Sequence, residues 1–314
     1  MKIAFSTLGC PDFSWTDIYS MAKDLGFRGI EIRGLGNDIF AVKAQPFMES
    51  QLDQTTKKLS SLHLEIPCLS SGCCLKFAEK AEENHQEIVH YITLASKLHT
   101  PYIRILADVE PQPNGEVDDE VVLAGLQRLI PIAEENGVTL LVETNGVYSD
   151  TNRLQGLLDH VKSDAVAALW DMHHPYRFTG ETPEMTVQNL GAYIKYVHVK
   201  DSIVKNDIIE YRMMGEGDLP IDDMMRALQS INYDGYVSLE WVKRWSSDLT
   251  DAGIVFPHFA NYMSRYTEKK AVKRQLFDNA AKTGKFVWVK DSLIDLTFPQ
   301  VLDRIGGVSE PICV

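Results

Sequence analysis

Four side chains in this sequence have the types and the setting to share one metal ion: Glu143, Asp171, His198 and Glu240. Each stands where an apolar, strand-like run stops. LLVE ends at Glu143, VAALWD at Asp171 and YVSLE at Glu240, while YIKYVHVKD carries His198 near its end; a fifth run, GIEIR, ends at Arg33. Three carboxylates and one imidazole make a hard, oxygen-rich donor set for one divalent cation. Such a set suits Mn²⁺ first, with Mg²⁺ or Co²⁺ next and Zn²⁺ kept open. A lone carboxylate after a strand is ordinarily a helix cap or a solvated loop residue. Four ligand-capable groups ending four successive strands are better explained by a (β/α)8 barrel, where the C-terminal strand ends converge on one mouth.

The elements needed to place them are legible in order. KIAFSTLG reads as a first strand, and WTDIYSMAKDLGF as a helix stopped at Gly26. GIEIRG is the second strand, and amphipathic stretches from about Ala44 to Leu62 and from about Glu79 to Leu98 lead into LEIPCLSS and YIRILAD. EPQPNGE is a loop, and the helix after it stops at Asn136-Gly137. VTLLVE, AVAALWD and YIKYVHVKD follow as strands five to seven. SIVKNDIIEYRMMGEGDLP then breaks the rhythm as a long loop at the mouth, read as a lid or substrate-contact segment. IDDMMRALQSI and YVSLE complete the eighth unit, and a last helix ends near Arg265. The expected architecture is an α/β TIM barrel over residues 1–265 with a C-terminal extension over 266–314.

Other residues fall near that mouth. His174, three positions past Asp171, is placed to contact a substrate hydroxyl, whereas its neighbour His173 reads as an exposed loop histidine. Lys200 shares a strand face with His198 and can stabilise negative charge or pair with a carboxylate; Asp201 points the other way. Arg33, Arg104 and Arg212 can grip a sugar, carboxylate or phosphate, or neutralise the glutamates. Trp241, next to Glu240, is a candidate for the pocket wall.

Composition sets the outer limits. The 314 residues fit one barrel plus a short extension, and an apolar share of 45% is ample for its core. A formal net charge of −13 argues against a phosphate-gathering surface, so no nucleic-acid partner is expected. No run has the length of a membrane span and the first apolar run is too short for a signal sequence, which makes a cytoplasmic protein the expectation. Cys10, Cys68, Cys73, Cys74 and Cys313 form no paired framework and are expected to be reduced.

Taken together, STLGCP, GIEIRG, VETNG, WDMHHP, HVKD, GEGDLP and SLEWVKRW resemble, in order and spacing, the xylose isomerase-like TIM barrel superfamily of sugar phosphate isomerases and epimerases, across roughly Met1 to Arg265. The resemblance implies that Glu143, Asp171, His198 and Glu240 bind one divalent cation. It also implies that the two glutamates act as an acid–base pair and that His174 and Arg212 contact substrate. Members that cleave DNA at abasic sites carry an Asp-x-His pair after strand seven; the corresponding stretch here has no histidine. Xylose isomerases proper use a Glu-x-Lys at strand five, where this chain has Glu143 and Asn145. Separately, GKFVWVKDSLIDLTFPQVLDRIGG resembles the leading segment of adenylate-forming acyl ligases, without their catalytic core.

The expected activity is isomerisation or epimerisation of a ketose or sugar phosphate. One glutamate removes a proton beside the carbonyl to give an enediolate and the other returns one. The same site supports an inosose- or dehydroshikimate-type dehydratase, and a non-catalytic scaffold barrel is the reading of another class. A small sugar or polyol is the expected partner, and a homo-oligomer is compatible with all three.

Overall fold

The structure is a computed structural model and describes residues 1–283, 285–290 and 292–297, with side chains to residue 267. The expected barrel strands all form: β1 (Lys2–Ser6), β2 (Gly29–Glu31), β3 (Cys68–Cys74), β4 (Tyr102–Leu106), β5 (Thr139–Glu143), β6 (Val166–Asp171) and β7 (Ile194–Val199). A hairpin of β8 (Asp201–Lys205) and β9 (Ile208–Arg212) intervenes before the eighth barrel strand, β10 (Tyr236–Leu239). The eight are parallel in the order β2-β1-β10-β7-β6-β5-β4-β3, and parallel bridges Gly29–Glu65 and Ile32–Leu69 bring the two outer strands together. This is a (β/α)8 barrel.

Helices α1 (Trp15–Asp24), α2 (Glu49–Leu62), α3 (Ala81–Leu98), α4 (Asp119–Glu135), α5 (Thr151–Val161), α6 (Pro183–Leu190), α7 (Ile221–Ser230) and α8 (Ala252–Thr283) alternate with the strands. Their starts follow local chemistry. Ser14 and Asp17 form a reciprocal capping box on α1, and Asp118 and Asp150 cap α4 and α5. Expected from about residue 44, α2 begins only at Glu49. Two short 3₁₀ turns precede it, one of them holding Pro46, which offers no N–H to an α-helical ladder.

The barrel interior changes character at one level. Ala4, Cys68, Leu141, Leu169, Tyr196 and Tyr236 pack into an apolar cluster with Tyr102 against it. At Gly29 a Cβ atom would come within 2.6 Å of the Tyr236 ring, so glycine is what lets that ring fill the barrel. Strand side chains alternate, so the same face is met again two residues later. There the eight strands present Ser6, Glu31, Ser70, Arg104, Glu143, Asp171, His198 and Ser238, all buried. One further step brings Lys200 after β7 and Glu240 after β10. An apolar floor thus lies directly under a polar layer.

The long loop expected after β7 is ordered as the β8–β9 hairpin, turned by Asn206 and Asp207 with φ of 52° and 62°, the type I′ pattern. The Asp201 carboxylate holds the segment that follows. It accepts the N–H groups of Gly215 and Gly217 at 2.9 Å each and of Ser202 at 2.8 Å. A Cβ at Gly217 would lie 1.9 Å from Asp201 Oδ1, so only glycine fits.

The chain divides into two compact units between Tyr262 and Met263. In the second, β11 (Lys285–Lys290) and β12 (Ser292–Thr297) pair antiparallel. The remainder of the expected C-terminal arm, including Cys313, lies outside the described residues.

Candidate metal centre and active site

Glu143, Asp171, His198 and Glu240 meet in the barrel. Each offers one ligand atom, and these atoms all lie within 4.8 Å of one another, every residue buried. His198 Nδ1 is 3.4 Å from Glu240 Oε1, 3.6 Å from Glu143 Oε1 and 4.0 Å from Asp171 Oδ2. Although buried, it has no hydrogen-bond partner. Fixed cations hold the second oxygens of Glu143 and Glu240 and also Asp171 Oδ2. Arg104 Nε donates to Glu143 Oε2 at 2.5 Å, and Lys200 Nζ donates to Asp171 Oδ2 and, at 2.5 Å, to Glu240 Oε2.

His174 joins the group. Its Nδ1 meets the Thr144 carbonyl at 3.0 Å, leaving Nε2 3.8 Å from Asp171 Oδ1. His173, expected to be exposed, is fully buried instead. Its Nε2 meets Ser202 Oγ at 3.0 Å, and its ring lies 5.8 Å from that of Tyr211 on β9, because the hairpin folds over this turn. Arg177 ties the two together, donating to Ser202 Oγ at 2.9 Å and pairing with Asp218.

The other expected contact residues have partners of their own. Arg33 donates to the Ile39 carbonyl at 3.2 Å and lies 5.9 Å from the Trp245 ring centroid. Arg212, at the base of the hairpin opposite Asp201, pairs with Glu210 on the same strand. Trp241 is buried, its indole N–H donating to the Thr250 carbonyl at 2.8 Å. Asn145 donates to the carbonyls of Asp108 and Glu110, a loop-holding role.

The charges act on one another strongly. Burial alone would raise the Glu143 carboxyl, but Arg104 and His198 outweigh it and hold the group well below the usual carboxylate range. Burial likewise raises Asp171, yet His174 and Lys200 bring it to about 2. His174 is pushed down by burial in spite of Asp171, and His173 is pushed well down by burial and Lys200. Both imidazoles are therefore neutral near pH 7.

A family model described as xylose isomerase-like TIM barrel matches residues 20–256. The chain belongs to the xylose isomerase-like TIM barrel family. Among curated relatives it is 25% identical to an inosose dehydratase of Clostridium perfringens over 142 residues, 40% of this chain and 48% of that protein. It is 23% identical to a fructoselysine 3-epimerase of Escherichia coli O157:H7 over 263 residues, 79% of this chain and 93% of that protein. The chain thus spans about half the length of the first relative and nearly all of the second. A solved structure of an IOLI protein with a bound zinc atom superposes with a TM-score of 0.69 at 18% identity, covering 86% of this chain and 99% of that one. No helix among the described residues is long and apolar enough to cross a membrane.

Two residues of this xylose isomerase-like barrel escape the sequence reading. Glu31 lies beside His198, its oxygens 3.1 and 3.0 Å from Nε2. Tyr211, on the hairpin, has its hydroxyl pushed up by burial, with Lys200 lowering it and Glu240 and Asp171 raising it. The available signals were a carboxylate between two isoleucines in GIEIR and a tyrosine inside the polar loop.

Proposed function

We propose that residues 1–265 form a divalent-metal-dependent isomerase or epimerase of a ketose or sugar phosphate, with residues 266–314 as an appended extension. The observation that carries the reading is the convergence of Glu143, Asp171, His198 and Glu240 around an unpartnered, buried His198 Nδ1. Charge supports it. Glu31, Glu143, Asp171 and Glu240 are four buried carboxylates, against two buried fixed cations, Arg104 and Lys200. The excess of buried carboxylates over fixed cations favours a bound cation. Mn²⁺ suits the oxygen-rich set best, and the zinc of the solved relative keeps Zn²⁺ beside it.

A bound divalent ion would polarise a substrate carbonyl and orient the neighbouring hydroxyl. The chain's own groups then move the proton. One of Glu143 and Glu240, as the carboxylate, takes it from the carbon beside the carbonyl, and the other, entering as the carboxylic acid, returns one to the resulting enediolate. Arg104 keeps Glu143 ionised, Lys200 fixes the facing oxygens of Asp171 and Glu240, and His174 Nε2 is free to meet a substrate hydroxyl. Arg33, Arg212 and Trp241 are assigned to more distant parts of the substrate. The inosose dehydratase likeness supports a second outcome on the same site, in which the acid protonates a departing hydroxyl.

The test is solvent-deuterium incorporation across ketoses and inososes by the Mn²⁺-loaded protein. Exchange beside the carbonyl is expected, falling at least about 100-fold in Glu240→Gln with the fold intact. Near-normal exchange in the variant would remove Glu240 from the acid–base pair, and water loss in place of epimer would select the dehydratase.

A further inference from the structure

We propose that Glu31 is a positioning residue: it holds the Nε2 proton of His198 and so fixes Nδ1 as the nitrogen offered to the divalent ion. The inference rests on the metal reading above and adds a residue outside the four. Glu31 ends β2, in the same polar layer as His198, and is completely buried. Ser70 Oγ on β3 donates to its Oε1 at 2.6 Å and Ser238 Oγ on β10 donates to its Oε2 at 2.7 Å. Those two hydroxyls pin the carboxylate from opposite sides. Both oxygens then face His198 Nε2.

A carboxylate that receives two hydroxyl hydrogen bonds also accepts the Nε2–H, and an imidazole that binds a metal ion through one nitrogen keeps its single ring proton on the other. Nδ1 is the nitrogen left for the ion. It is the atom found 3.4 to 4.0 Å from oxygens of Glu240, Glu143 and Asp171, without a partner of its own. A carboxylate behind a ligating histidine also raises the basicity of the nitrogen in front, and removing such a partner costs 10- to 100-fold in metal affinity in known sites.

The experiment compares the full-length wild type with Glu31→Gln and Glu31→Leu by calorimetric titration with Zn²⁺, together with ¹⁵N-histidine spectra of the Zn²⁺-loaded proteins. Glutamine keeps an acceptor without the charge, so about a tenfold loss of affinity with the Nε2–H signal retained is expected. Leucine removes the acceptor, and about a hundredfold loss with that signal altered is expected. If leucine prevents folding, the glutamine variant decides. Wild-type affinity in a folded variant would overturn the positioning role while leaving the metal reading intact. A wild type that binds no Zn²⁺ would overturn both.

Discussion

At Asp171 the two carboxylate oxygens have separate tasks. Oδ1 accepts the backbone N–H groups of His173 and His174 at 2.9 and 3.2 Å, which turns the chain sharply after β6, while Oδ2 faces Lys200 and His198. The first task is structural and the second is offered to chemistry. Its folded pKa of about 2 lies below the roughly 3.9 of an unfolded aspartate. A depressed carboxylate contributes stability that is present above the unfolded value and lost as pH falls through the folded one. Metal-free protein should therefore lose stability between about pH 4 and pH 2. Asp171→Asn should lower the proton uptake on unfolding in that window by about one, read from the pH dependence of denaturant midpoints; an unchanged slope would show that Asp171 is not held ionised. Asp171 was legible because it ends an apolar run. Glu31 was not, because the alternation Ile30, Glu31, Ile32 reads as a half-exposed strand with its polar side in water. Only closure of the barrel buries both faces.

The β8–β9 hairpin is the element that most distinguishes the observed mouth from the expected one. Its strands are five residues each, DSIVK and IIEYR, too short and too mixed for an alternation to stand out from a loop, and Asn206-Asp207 was the turn signal available. What holds it is the Asp201 clasp on Gly215 and Gly217, together with Arg177 reaching Ser202 and Asp218. The clasp also explains why Asp201 follows Lys200 with its side chain turned away from the site. Gly217→Ala would push a methyl into Asp201. The expected cost is about 1–3 kcal/mol, with faster amide exchange across residues 202–218 and little change in the barrel strands. Unchanged stability and exchange would mean that the clasp does not order the hairpin. Because Tyr211 rides on this hairpin, a loosened hairpin should also weaken substrate binding more than metal binding.

Across the whole molecule, alternating strands and helices made the barrel readable, since a parallel strand must be followed by a returning crossover helix. The four convergent side chains were readable because the C-terminal ends of such strands share one mouth. The fixed cations were only half readable: Arg104 and Lys200 could have gripped substrate, and the low-dielectric interior, with carboxylates on several sides, is what ties them to Glu143, Asp171 and Glu240. The same crowding leaves the polar layer with more buried carboxylates than fixed cations. Mn²⁺ titration of chelator-stripped protein, followed by elemental analysis, tests for a divalent cation on His198 Nδ1. One tightly held ion per chain is expected, weakened strongly by His198→Ala; saturation by no ion, or unaltered binding in that variant, would overturn the assignment.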